Sequence, residues 1–155
     1  MKRNHTMIQF FEWHVEADAL HWNRLKEAAP ELKNRGIDAV WIPPVTKGMS
    51  AEDTGYAPYD VYDLGEFDQK GSVATKYGTK KELQEAIKAC HDEDIHVYAD
   101  IVMNHKAGAD DTETFQVIEV DPNDRTKEIS DPFDIEGWTK FTFPGRDDTY
   151  SSFKW

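Results

Sequence analysis

A single cysteine in 155 residues excludes an internal disulfide and any paired-cysteine zinc site. Cys90 falls in a predicted helix, where a buried, inert thiol is expected. No apolar run is long enough to span a bilayer. No leader is visible either, because Met1–Thr6 passes straight into Met7–Phe11. A cytoplasmic protein is therefore expected, or a secreted one if a leader has been removed. Positive charge is scarce: 18 Lys and Arg face 30 Asp and Glu, a net charge of −12. That balance argues against nucleic acid or an anionic membrane as partner. The chain also lacks a Gly-x-Ser-x-Gly elbow, a phosphate-cradling Walker loop and a glycine-rich dinucleotide fingerprint.

What is present describes a globular fold, with 39% hydrophobic and 12% aromatic residues. Met7–Phe11 reads as a first strand. Trp22, Leu25, Ala29 and Leu32 recur at helical spacing, with a break or kink expected at Pro30 and a C-cap at Gly36. Residues 37–42 form a second strand, stopped by Pro43-Pro44. Thr79 and Glu82 form a capping box ahead of a helix faced by Leu83, Ala86, Ile87 and Cys90, and residues 95–102 make a third strand. The order β-α-β-loop-α-β, with strands apolar nearly throughout, predicts a parallel sheet covered on both faces. The stretch from Pro43 to Gly78 has little regular patterning but is rich in Gly, Asp and Tyr, as a binding loop would be. Beyond Lys106 the pattern gives way to Asp- and Thr-rich turns with β-like stretches such as Phe115–Val120. The expected division is residues 1–104 and 105–155.

Three strands cannot close a barrel, so the front portion of a longer polypeptide is the better reading. In such folds ligands meet the carboxyl ends of the strands. There lie Glu12-Trp13, the long loop with Tyr56, and Asn104-His105. A tyrosine ring can stack on the C–H face of a pyranose. An imidazole can donate to a sugar hydroxyl or move a proton near neutral pH. An asparagine oxygen suits a hard cation. Taken singly, each has a plainer role: a packed loop tyrosine, a structural histidine, a turn asparagine. Asp100 is expected to be buried among Val97, Ala99, Ile101 and Val102 as half of a polar network. The run Asp110-Asp111-Thr112-Glu113 lacks the spacing of a calcium-binding EF-hand and is expected to be a solvated loop.

Asp100-Ile-Val-Met-Asn-His105 resembles the first signature region of the α-amylase superfamily, glycoside hydrolase family thirteen. Residues 8–13, 39–44, 55–67, 76–80 and 143–155 are similar to bacterial liquefying α-amylases. The resemblance implies a (β/α)8 TIM barrel with a domain inserted after its third strand, beginning near His105. It implies retaining endo-hydrolysis of α-1,4-glucosidic bonds in starch or glycogen, by a calcium-dependent monomer. Under it, Tyr56 is the stacking platform, His105 hydrogen-bonds the sugar, Trp13 lines the cleft, Asn104 ligates Ca2+, and Asp100 pairs with an arginine of a later strand. The family's catalytic carboxylates follow strands that these residues do not include, so the chain alone is expected to be inactive. The other readings are an α-glucosidase or transglycosylase with the same signature, and a non-catalytic amylase-like scaffold that binds sugar or a partner protein.

Overall fold

The computed structural model describes residues 4–154. Two compact units emerge. The first runs to Gly108 and takes in Phe143–Ser152; the second is centred on Ala109–Thr142.

In the first unit, strands β1 (Met7–Gln9), β2 (Ala39–Ile42) and β5 (His96–Ala99) form a parallel sheet in the order β1-β2-β5. Register places Met7 beside Ala39 beside His96, and Gln9 beside Trp41 beside Tyr98. Helices α1 (His21–Asn34) and α2 (Lys80–Asp92) are the two crossovers, as parallel strands require. Trp22, Leu25, Ala29 and Leu32 of α1 and Leu83, Ala86 and Cys90 of α2 pack with Val40, Ile42 and Ile95 in one core. Side chains alternate along a strand. The opposite face therefore carries Met7, Gln9, Trp41, His96 and Tyr98. Tyr98 is 56% exposed there. Among the described residues the sheet is covered on one face only, contrary to the expectation of two.

Pro30 does not interrupt α1. Its missing N–H would have served the Lys26 carbonyl, and both residues lie on the exposed side, away from the core. The buried stripe on the other side holds the helix together. Gly36, at φ +79°, ends it as expected. Its N–H bonds the Lys33 carbonyl and that of Ile37 bonds Leu32, the paired bonds of a Schellman turn. α2 begins with the complete Thr79–Glu82 capping box.

The segment from Pro43 to Gly78 is more ordered than its sequence suggests. Strands β3 (Lys47–Gly48) and β4 (Pro58–Asp60) pair antiparallel, with Tyr56 between them. Beneath them is a buried polar network. Lys47 Nζ donates to the carbonyls of Phe67 (3.1 Å), Ser72 (2.7 Å) and Val73 (2.6 Å), and Asp63 Oδ1 receives the amides of Gly65 and Glu66, each at 2.9 Å. Arg146 Nε reaches Asp60 Oδ2 at 2.6 Å, and both side chains are fully buried. That pair ties Phe143–Ser152 to the first unit.

The second unit contains strands β6 (Asp111–Val117), β7 (Val120–Asp121), β8 (Asp124–Glu128) and β9 (Phe133–Lys140). β6 pairs with β9 and β7 with β8, both antiparallel. The Asp110–Glu113 run is not a free loop: residues from Asp111 lie in β6. Thr139 Oγ1 donates to Glu113 and Thr112 Oγ1 to Glu136 across the ladder, which satisfies those carboxylates.

Candidate active site

The carboxyl ends of β1, β2 and β5 bring five of the sequence-selected residues together. Trp13 follows β1, Tyr56 sits in the β3–β4 connection, and Asp100, Asn104 and His105 follow β5. The rings of Trp13 and Tyr56 lie 5.9 Å apart at 10°, nearly parallel. Trp13 is 63% exposed, so the pair is a surface open to a ligand rather than core packing.

The Tyr56 hydroxyl donates to Asp100 Oδ2 at 2.7 Å. Burial pushes this phenol up to about 12, and the bond to Asp100 and its negative charge add to the rise. Asp100 is half-buried rather than enclosed. β5 ends at Ala99, one residue before it, and Ile101 is exposed. The carboxylate finds its partner in a loop tyrosine, while its own N–H extends the ladder to Ile42.

His105 Nε2 lies 2.8 Å from the Tyr56 carbonyl oxygen. A carbonyl only accepts, so Nε2 carries the proton. Nδ1 is then free to accept from the Asn104 amide at 3.3 Å. The two neighbours thus fix the orientation of the imidazole ring. The Ala107 N–H bonds the Pro58 carbonyl at 2.9 Å, fixing the same two loops a second time. Together these contacts leave Tyr56 anchored at its hydroxyl and at its carbonyl, with its ring against Trp13.

Beside the rings is a cavity of about 300 Å³ lined by Gln9, Phe11, Glu12, Trp13, Trp41, Thr54, Tyr56 and Tyr77. Its make-up is aromatic walls with a few polar groups, the usual composition of a small-ligand cleft. Tyr77 is buried, its hydroxyl donates to the Thr54 carbonyl at 3.0 Å, and burial raises its pKa. Asp53 was not singled out from the sequence. Its Oδ1 accepts from the amides of Gly55 (2.6 Å) and Ala57 (3.3 Å), on either side of Tyr56. The Asp-x-Gly spacing of residues 53–55, typical of a turn, was the available signal.

Among the described residues, no group of three or more His, Cys, Asp or Glu comes together as a cation site. Asn104 is exposed with its Nδ2 turned to His105, leaving one amide oxygen against the about six to eight that Ca2+ takes. No helix among the described residues is long and apolar enough to cross a membrane.

Residues 23–133 match the family of α-amylase catalytic domains. The chain belongs to this family, and its fold is of the corresponding α/β, TIM-barrel type. Its relatives include glucan 1,4-alpha-maltohexaosidase of Bacillus sp. (strain 707), 56% identical over 98% of this chain and 29% of that protein. Another is the cytoplasmic alpha-amylase of Escherichia coli (strain K12), 46% identical over 99% of this chain and 31% of the relative. Among solved structures, alternansucrase in complex with isomaltononaose shares the fold at TM-score 0.70 and 22% identity, over 88% of this chain and 12% of that one. The chain thus spans about 30% of the length of the curated relatives it matches.

Proposed function

We propose that this chain supplies the first wall of the substrate cleft in a starch- or glycogen-hydrolysing α-amylase. The observation that carries this reading is the Trp13–Tyr56 pair, held in place by Asp100 and His105. Two near-parallel rings at the carboxyl rim of a parallel sheet suit the flat C–H faces of a glucan chain. Tyr56 is the stacking platform and Trp13 extends it. His105 meets a sugar hydroxyl through Nδ1, in exchange for its long Asn104 contact, while Nε2 keeps its bond to the Tyr56 carbonyl. Asp100 holds the Tyr56 hydroxyl and is the residue on which an arginine of a later strand would close. Asn104 contributes at most one oxygen to a Ca2+ ion in the longer protein.

In that protein the three parallel strands begin a (β/α)8 barrel, and residues from about 105 begin an inserted domain. The reaction is endo-hydrolysis of α-1,4 bonds with retention, by a cytoplasmic monomer. Retaining hydrolysis takes two carboxyl groups about 5–5.5 Å apart across the bond. Asp100 is engaged by Tyr56, and Glu12 Oε2 accepts from the His14 amide at 2.6 Å. Neither is assigned a catalytic role, and the 155 residues alone bind glucan without cleaving it.

Calorimetric titration of the chain with maltohexaose and with cellohexaose, beside a reducing-sugar assay on starch, tests the reading. Binding of maltohexaose, weaker binding of the β-linked hexamer and no sugar release are expected. Equal affinity for both sugars contradicts the α-glucan assignment, and sugar release contradicts the inactivity.

A further inference from the structure

We infer that Asp53 is a positioning residue that sets the plane of the Tyr56 ring. As to ligand, the inference rests on the glucan reading above; as to geometry, it stands without it. The site contacts already described fix the Tyr56 hydroxyl and carbonyl. They hold the Thr54–Gly55 and Tyr56–Ala57 peptide units only by their carbonyl edges, through Tyr77 and His105. Asp53 takes the N–H edge of both units and ties them to each other across Tyr56. Its Oδ1 takes the N–H of Gly55 at 2.6 Å and that of Ala57 at 3.3 Å, one carboxylate oxygen bridging the residues that flank Tyr56. Bonds from a backbone N–H to a carboxylate are shorter and stronger than neutral ones.

Asp53 is itself immobilised. A Cβ built at Gly48 would lie 2.5 Å from Asp53 Cβ and 2.7 Å from its Oδ1, so the β3 backbone packs directly on this side chain. The Asp53 N–H bonds the Ser50 carbonyl at 3.2 Å. On the far side, the Tyr77 hydroxyl holds the Thr54 carbonyl, linking the same turn to the buried aromatic core. The carboxylate therefore transmits the fixed position of β3 to the two amides that orient the platform. Loss of its acceptor frees the turn to rotate while Tyr56 keeps its bonds at either end. The ring then leaves the 10° plane it shares with Trp13.

The test compares Asp53→Ala, Asp53→Asn and Tyr56→Ala in the full 155-residue chain. Asn keeps a carbonyl oxygen where Oδ1 stands, whereas Ala removes it. The first readout is the Trp13 indole N–H resonance, which the neighbouring Tyr56 ring displaces. The second is affinity for maltohexaose, analysed as a double-mutant cycle. Asp53→Ala moves the indole signal to where Tyr56→Ala moves it, and weakens binding about tenfold, the equivalent of one charge-assisted bond. Asp53→Asn restores both, and Asp53→Ala has no further effect once Tyr56 is Ala. An unmoved indole signal in Asp53→Ala, or an undiminished Asp53 effect in the Tyr56→Ala background, overturns the inference. So does unfolding of both Asp53 variants, which would make the residue a determinant of the fold instead. Wild-type chain that ignores maltohexaose while the indole signal still follows Asp53 sinks the glucan reading and leaves this one standing.

Discussion

The Tyr56 hydroxyl and Asp100 Oδ2, 44 residues apart in the chain, meet at 2.7 Å. This bond makes an acid at the end of a parallel strand part of the platform rather than a lone buried charge. It also has a titration signature. Burial first, then Asp100, raise the phenol from 10.0 to about 12. A raised pKa favours the protonated fold, so the contribution is complete below pH 10 and is lost as pH climbs towards 12. Asp100→Asn removes the charge and brings the phenol part of the way back, leaving the burial effect. Ultraviolet titration, with Tyr56→Phe identifying the transition, measures the change. A Tyr56 transition unmoved by Asp100→Asn contradicts the bond.

Arg146 and Asp60 form a fully buried ion pair at 2.6 Å, and Gln69 Nε2 adds a bond to the same carboxylate oxygen at 3.0 Å. Removing one partner strands the other charge away from water. Arg146→Met is expected to cost about 3–5 kcal/mol, read as a lowered urea midpoint. Replacement of both residues by apolar ones of similar volume is expected to cost less than either single change. A single variant as stable as the wild type refutes the role given to this pair.

His21 is buried, with Nε2 donating to the Phe10 carbonyl at 2.7 Å. Burial lowers its pKa from 6.5, and the nearby Arg24 adds to this against the opposing pull of the Phe10 carbonyl. The fold therefore keeps His21 neutral, and its contribution is full above 6.5 and lost as pH falls through the lowered value. Between about pH 7.5 and about pH 5.5 the wild type loses stability that His21→Gln retains. Parallel melting curves for the two proteins across that window contradict this.

The Cys90 thiol has no exposure, and burial lifts its pKa to about 11. Thiolate is the reactive form, so the native chain resists maleimide and reacts only when unfolded. Rapid labelling without denaturant would show that the α1–α2 core opens readily.

Legibility from sequence followed the range of the forces involved. Helix faces, the Thr79–Glu82 box and the Gly36 turn are local, and periodicity plus capping chemistry reveals them. The three strand ends that carry Trp13, Tyr56 and His105 were also legible, because a βαβ order dictates which ends share a rim. The uncovered sheet face was not, since apolar strands read alike whether their second face is packed or open. The Lys47, Asp60, Asp63 and Arg146 network was hidden for another reason. Its members are spread from residue 47 to residue 146 and read as ordinary surface charges until folding closes them round carbonyls and one another. Asp53 lay between the two cases, a common turn residue whose importance comes from the ring beside it.

The most direct measurement is an amide and indole chemical-shift titration of the 155-residue chain with maltohexaose. The account predicts that the largest changes cluster at Trp13, Tyr56 and His105, and that Tyr56→Ala abolishes them. Changes centred elsewhere, or a Tyr56→Ala chain that responds like the wild type, would contradict it.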